Sequence, residues 1–285
     1  MKRLNLPEYT SIQSYNLCVA SVLDLSLKDR LNSISGFIEQ VSETYINLAR
    51  VGSVHSIPPL IHPRGEDPIV ISGVRKSELV KLYGYYMVDR QPGRGLYDLI
   101  LVAAKEQCPF CGGIGRPKSL DHYLPKANYP QYAVLPQNLV PCCRDCNTEK
   151  SNALAAAEDE QAIHPYFDDD KFFSEQWVFA TVNPTRPCSL EYFTEPPNDW
   201  SDIEKSRALN HFRDFNIGSR YSIQAADELS GLVDLRRGYL ANVSAEEFSS
   251  YLASVSSSAS YFPNHWKKVM YQALAKDSNF CGLPL

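Results

Sequence analysis

No stretch of the 285-residue chain approaches the roughly 18 consecutive apolar residues of a membrane-spanning helix, which excludes a membrane protein of that kind. The opening Met1-Lys2-Arg3-Leu4-Asn5-Leu6-Pro7-Glu8 lacks the apolar centre of a secretion signal, so the expected location is cytoplasmic. Internal repeats and long low-complexity tracts are also lacking, and only the short Ser254–Ser258 run suggests a loop or helix end. With 44% apolar and 21% charged residues, the composition excludes a mostly disordered, collagen-like or rod-forming chain. An overall positive charge is missing as well, since the net charge is −5. That total hides a partition: residues 1–104 carry +1, residues 105–153 carry +2 and residues 154–285 carry −8. Any polyanion site should therefore avoid the C-terminal part, because phosphate affinity depends on local Lys and Arg.

What is present divides the chain in three. Residues 1–104 read as helical. Leu31, Ile34, Ile38, Val41, Tyr45 and Leu48 recur at three- and four-residue steps, the period of one buried helix face. Pro58 to Pro68 is a loop, Ser77 a candidate cap, and Pro92-Gly93 a break before a helix carrying Leu96, Leu99, Ile100 and Ala103. Residues 105–165 change texture. Ser119–Tyr123 and Asn138–Pro141 read as short strands, and Arg144–Ala157 as a helix. Residues 166–285 open with a strand pair, Trp177–Val182 and Cys188–Phe193, around a proline-containing turn. Ser201 with Glu204 then fits a capping box, and further helices are expected through 220–240, 244–257 and 264–276. The expected fold class is α+β, mostly α.

Eight cysteines in a reducing compartment point to metal binding or burial rather than to disulfides. Cys108-Pro109-Phe110-Cys111 and Cys143-Arg144-Asp145-Cys146 are two C-x-x-C units separated by 31 residues. Two such knuckles complete a tetrahedral four-thiolate zinc site, closed and therefore structural. Cys142 is an alternative to Cys143, although the two-residue spacing favours Cys143. Cys18, Cys188 and Cys281 read as core residues.

Between and beside the knuckles lie Asp121-His122, Asn138 and Asn147. Asp and Asn oxygens suit a hard ion such as Mg²⁺, and a neutral His beside it can take a proton from water. Lys118, Lys126, Arg144 and Lys150 cluster nearby as candidate phosphate contacts. His164 suits a core or capping role as well as a site role. His55, His62, His211 and His265 read as structural or surface residues, and Asp168-Asp169-Asp170 as a solvated turn. A zinc deaminase is excluded: no histidine is followed two residues later by Glu, and Pro141-Cys142 has no cysteine at position 145.

The run from Cys108 to Lys150 resembles an HNH (ββα-metal) endonuclease, most closely the zinc-containing branch related to phage endonuclease VII. Cys108-x-x-Cys111, Asp121-His122-Tyr123-Leu124-Pro125-Lys126, Asn138-Leu139-Val140-Pro141 and Cys143-x-x-Cys146-Asn147-x-x-Lys150 carry the resemblance. It implies a small ββα-metal centre between helical flanks, with Zn²⁺ on Cys108, Cys111, Cys143 and Cys146. It implies His122 as the general base and Asp121 and Asn147 as ligands of a catalytic Mg²⁺ or Mn²⁺. Asn138 would orient His122 or its strand, and DNA would be the substrate. Asn147 stands where many members have a third His, which shifts metal preference toward Mg²⁺. A second resemblance rests on Asp121–Lys126, His164-Pro165-Tyr166-Phe167-Asp168 and Trp266-Lys267-Lys268. It is to HNH proteins paired with an ATPase in anti-phage systems of the Septu type, and implies an ATPase partner; by its charge, the acidic C-terminal region is the candidate for docking a basic or ATPase partner. The competing expectation is a zinc-ribbon module that binds nucleic acid or protein without catalysis.

Overall fold

A computed structural model describes residues 1–150, 154–183 and 188–282. Its elements are α1 (Ser11–Ala20), α2 (Leu25–Ser33), α3 (Ser35–Arg50), β1 (Ile69–Ile71), β2 (Val74–Arg75), α4 (Lys76–Lys81), a π-helical segment (Leu82–Met87), α5 (Gly93–Val102), β3 (Ser119–His122), β4 (Leu139–Cys142), α6 (Arg144–Lys150), α7 (Lys171–Ser174), β5 (Val178–Asn183), β6 (Ser189–Thr194), α8 (Asp202–Asp214), α9 (Ile217–Arg237), α10 (Ala245–Ser256), α11 (Trp266–Lys276) and α12 (Ser278–Gly282). The fold is α+β and mainly helical, with three two-stranded antiparallel sheets among the described residues. Among these residues no helix is long and apolar enough to cross a membrane.

The chain forms two compact units. One comprises Leu4–Pro109 with Gly115–Asp168; the other comprises Met1–Arg3, Phe110–Ile114 and Asp169–Leu285. The expected helical region and most of the knuckle segment thus share the first unit. Its core joins Leu31, Ile34 and Ile38 to Leu82, Leu96 and Ile100, and also to Leu120, Val134 and Leu139 of the knuckle segment. The expected periodic face is buried, but two helices carry it. The Ser33 hydroxyl donates to the Arg30 carbonyl at 2.8 Å, an alternative to the helical ladder, and the chain restarts at Ser35.

Ser77 is not a cap. It lies inside α4, where its N–H and hydroxyl donate to Asp67 at 2.8 and 2.7 Å; the Glu78 carboxylate reaches back to the Arg75 N–H at 2.8 Å. The β1–β2 hairpin was not expected. Ser72 and Gly73, both at positive φ, make its two-residue turn. Gly93 permits a close approach: a Cβ there would lie 2.4 Å from the Tyr86 carbonyl oxygen, so only glycine lets α5 start against the π-helical segment.

β3 and β4 pair in the register Leu120↔Pro141, Asp121↔Val140 and His122↔Leu139, and α6 follows at once. α6 is shorter than the expected Arg144–Ala157: residues 151–153 lie outside the described residues, and 154–157 are not helical.

In the second unit, β5 and β6 pair as expected; their connecting turn lies outside the described residues. α9 packs on β6 and α11 on β5, while α10 pairs with α11. The Ser201–Glu204 capping box starts α8, with the Glu204 N–H donating to the Ser201 hydroxyl at 3.3 Å and the Ser201 N–H to the Glu204 carboxylate at 2.8 Å. Asn264 fixes the entry to β5: its Oδ1 accepts from the N–H groups of Trp177 and Val178 at 2.8 and 3.0 Å.

Candidate functional site

The sulfurs of Cys108, Cys111, Cys143 and Cys146 all lie within 4.8 Å of one another, and all four residues are buried. Thiolates about 2.3 Å from a tetrahedral ion stand about 3.8 Å apart, so this donor set fits a closed zinc-type site. Backbone geometry shapes the knuckles. The Cys108 N–H donates to the Gly115 carbonyl at 3.0 Å, and the Cys143 N–H points at the Cys108 sulfur at 3.5 Å. Cys142 is not one of the four; it ends β4 opposite Ser119, with its thiol beside Cys108 and Cys146.

β3 carries the two central residues to different neighbours, as alternation along a strand requires. His122 is 4% exposed. Its Nε2 stands 2.8 Å from the Ala133 carbonyl, and the Tyr83 ring lies edge-on with centroids 4.4 Å apart. A carbonyl only accepts, so Nε2 carries the proton and Nδ1 keeps its lone pair. Burial, then the positive charges of Lys126 and Lys150, push the imidazole down to about 3, and it is neutral at ordinary pH. Tyr83 is itself fixed, its hydroxyl donating to the Leu120 carbonyl at 2.6 Å.

Asp121 faces Lys150. The Lys150 ammonium stands 3.0 Å from Asp121 Oδ2 and donates to the His122 carbonyl at 2.6 Å. That oxygen is buried and has no partner besides this ion pair among the described residues. A buried carboxylate suits a hard cation, and here the Lys150 ammonium occupies that oxygen.

The remaining sequence candidates divide. Asn138, fully buried, clamps the chain after β3: its Oδ1 accepts from the Leu124 N–H at 2.8 Å, and its Nδ2 donates to the carbonyls of Leu124 and Tyr132 at 3.1 and 3.3 Å. Asn147 is exposed on α6, and its carboxamide makes no hydrogen bond among the described residues. Lys118 and Arg144 are exposed. Lys126 is half-buried with its ammonium 5.2 Å from the Tyr83 ring centroid. Lys150 is half-buried, paired with Asp121 and bonded to the His122 carbonyl.

His164 is a core residue. Its Nδ1 accepts from the Tyr166 N–H at 3.2 Å, its Nε2 meets the Tyr45 hydroxyl at 3.2 Å, and its ring stacks on Tyr123 at 4.0 Å. Asp168 departs from the expected solvated turn: it is buried and accepts from the His164 N–H at 2.6 Å, whereas Asp169 and Asp170 are exposed. Sequence reasoning missed Tyr83 and the Ala133 carbonyl. A tyrosine in an apolar helix reads as core, and a backbone carbonyl leaves no trace in residue type.

Fold and site together define a mainly helical α+β protein with a four-cysteine cluster placed to hold a metal such as zinc. The chain is 36% identical over 293 aligned positions to Protein ea31 of Escherichia phage lambda, covering 98% of this chain and 99% of that protein, and it belongs to the Protein ea31 family. No protein-family model and no solved structure matches it.

Proposed function

We propose that this chain is an HNH-type endonuclease that hydrolyses DNA phosphodiester bonds with Mg²⁺ or Mn²⁺, and that its four cysteines hold a structural Zn²⁺. The observation that carries the reading is the pairing at the end of β3: a neutral His122 with a bare Nδ1 lone pair, next to the buried carboxylate of Asp121. His122 takes the proton of the attacking water at Nδ1, while the Ala133 carbonyl holds the ring through Nε2. An approaching phosphate opposes the charges of Lys126 and Lys150 and raises the proton affinity of His122. Asn138 keeps the segment after β3 in place, a positioning role. Asp121, with Asn147 from α6, would hold the divalent ion, which supplies charge neutralisation at the phosphate and the leaving oxygen.

The test is relaxation and linearisation of supercoiled plasmid with Mg²⁺ or Mn²⁺, native chain against His122→Ala. Metal-dependent cutting that disappears in the variant supports the reading; equal cutting by both sinks it. A role in anti-phage defence with an ATPase partner rests on the second resemblance alone. Phage plating on cells expressing the native chain or His122→Ala checks it, with protection by the native chain only as the expected result.

One observation favours the second reading, a zinc-stabilised binding module without catalysis: Lys150 already neutralises Asp121. On that reading neither chain cuts plasmid, and His122→Ala leaves nucleic-acid binding unchanged.

A further inference from the structure

Three cations around the segment that packs on His122 are held against tyrosine rings. The Arg90 guanidinium lies 4.8 Å from the Tyr85 ring centroid. It also donates to the Tyr85 hydroxyl. The Lys81 ammonium lies 5.6 Å from the Tyr85 centroid and 5.9 Å from that of Tyr86. Lys126 sits over Tyr83, whose ring also meets His122 and Tyr97. Tyr83, Tyr85 and Tyr86 share the single π-helical segment, and the rings of Tyr85 and Tyr86 meet edge to face at 5.0 Å. Lys81 and Arg90 are exposed and Tyr85 is half-exposed. Among the described residues none of the three cations forms an ion pair with a carboxylate, in contrast to Arg94, which pairs with Asp98 at 2.9 Å. Asp89, next to Arg90 in the chain, only partly offsets the charge.

Aromatic rings interleaved with ordered cations suit an unpaired nucleic-acid strand: the cations meet phosphates, and a half-exposed ring offers a face to a base. Holding Lys and Arg over rings also lowers the side-chain entropy lost when they bind. We propose that Lys81, Tyr85 and Arg90 form a docking strip for single-stranded nucleic acid.

The experiment is fluorescence anisotropy of a fluorescein-labelled oligothymidylate about 20 nucleotides long, with the full chain and no added divalent ion, so that cleavage contributes nothing. Lys81→Glu with Arg90→Glu should weaken binding more than tenfold and flatten its salt dependence. Tyr85→Ala should weaken it about tenfold and Tyr85→Trp should restore it, since stacking on a base needs only a ring. Thermal melting of each variant is compared with that of the native chain, and Tyr85→Trp guards against a folding defect. Native affinity in the charge-reversed protein, or no binding by the native chain, overturns the strip. Tighter binding of a duplex that ignores Tyr85 overturns the single-strand assignment. A chain that binds as expected but does not cut plasmid keeps the strip and loses the nuclease; one that cuts but binds regardless of these residues does the reverse.

Discussion

At the scale of single residues, burial decides what the polar groups do. Asn138 satisfies three backbone groups in a buried region. Asn138→Ala leaves them unpaired and should cost about 2–4 kcal/mol of stability, measured as a lower urea midpoint with an unchanged slope. His265 shows the same logic for charge. Its Nδ1 accepts from the Lys267 N–H at 3.1 Å at the start of α11. Burial first, then the positive charges of the α-amino group and Lys267, lower its pKa from 6.5 to about 4. The unfolded chain therefore binds the proton at higher pH than the native one. The associated stability is complete above pH 6.5 and is lost as pH falls toward about 4. His265→Asn, which keeps a side-chain acceptor at the cap, should show a shallower decline of urea midpoint across that window. Identical declines would remove His265 from the account.

At the scale of elements, close approach and caps matter more than propensity. α5 meets the π-helical segment at Gly93, where an added Cβ would sit 2.4 Å from a carbonyl oxygen. That atom is backbone and cannot swing aside, so Gly93→Ala should destabilise by about 1–3 kcal/mol despite the higher helix propensity of alanine. It should also disturb Tyr83 and Tyr85 on the same segment, read as weaker oligothymidylate binding. A variant as stable as the native chain would show that the two helices can separate freely. The π-helical turn was not legible in the sequence: Leu82–Met87 has ordinary helical apolar spacing. By contrast, the β5–β6 pair and the Ser201–Glu204 capping box were legible, because each depends on residues close together in the chain.

At the scale of the whole molecule, the four thiols bring together segments 31 residues apart in sequence. The purified chain should carry one zinc ion, measured by atomic emission. Cys146→Ala should carry none and should melt at a lower temperature, because a structural zinc contributes directly to folding. Cys142→Ser should keep its zinc, as Cys142 is not one of the four. Zinc lost from Cys142→Ser and kept in Cys143→Ser would reverse the assignment. Charge does not follow the division into units: Glu158, Asp159, Glu160 and Asp168 belong to the unit bearing His122, so what distinguishes that unit is the local clustering of cations, such as those held against the tyrosine rings.

The sequence by itself determined the α+β, mainly helical class, the four cysteines of the cluster, the two short strands between the knuckles and the β5–β6 pair. These follow from spacing and periodicity, which act over a few residues or through fixed ligand geometry. Only the tertiary structure decided that Ala133 fixes the His122 tautomer, that Lys150 turns inward to Asp121, that His164 and Asp168 belong to the core, and that a tyrosine segment from the N-terminal helices flanks His122. Each of those depends on which distant segments are packed side by side. Packing is set by the sum of many weak apolar contacts across the core, and no local pattern of residues records it.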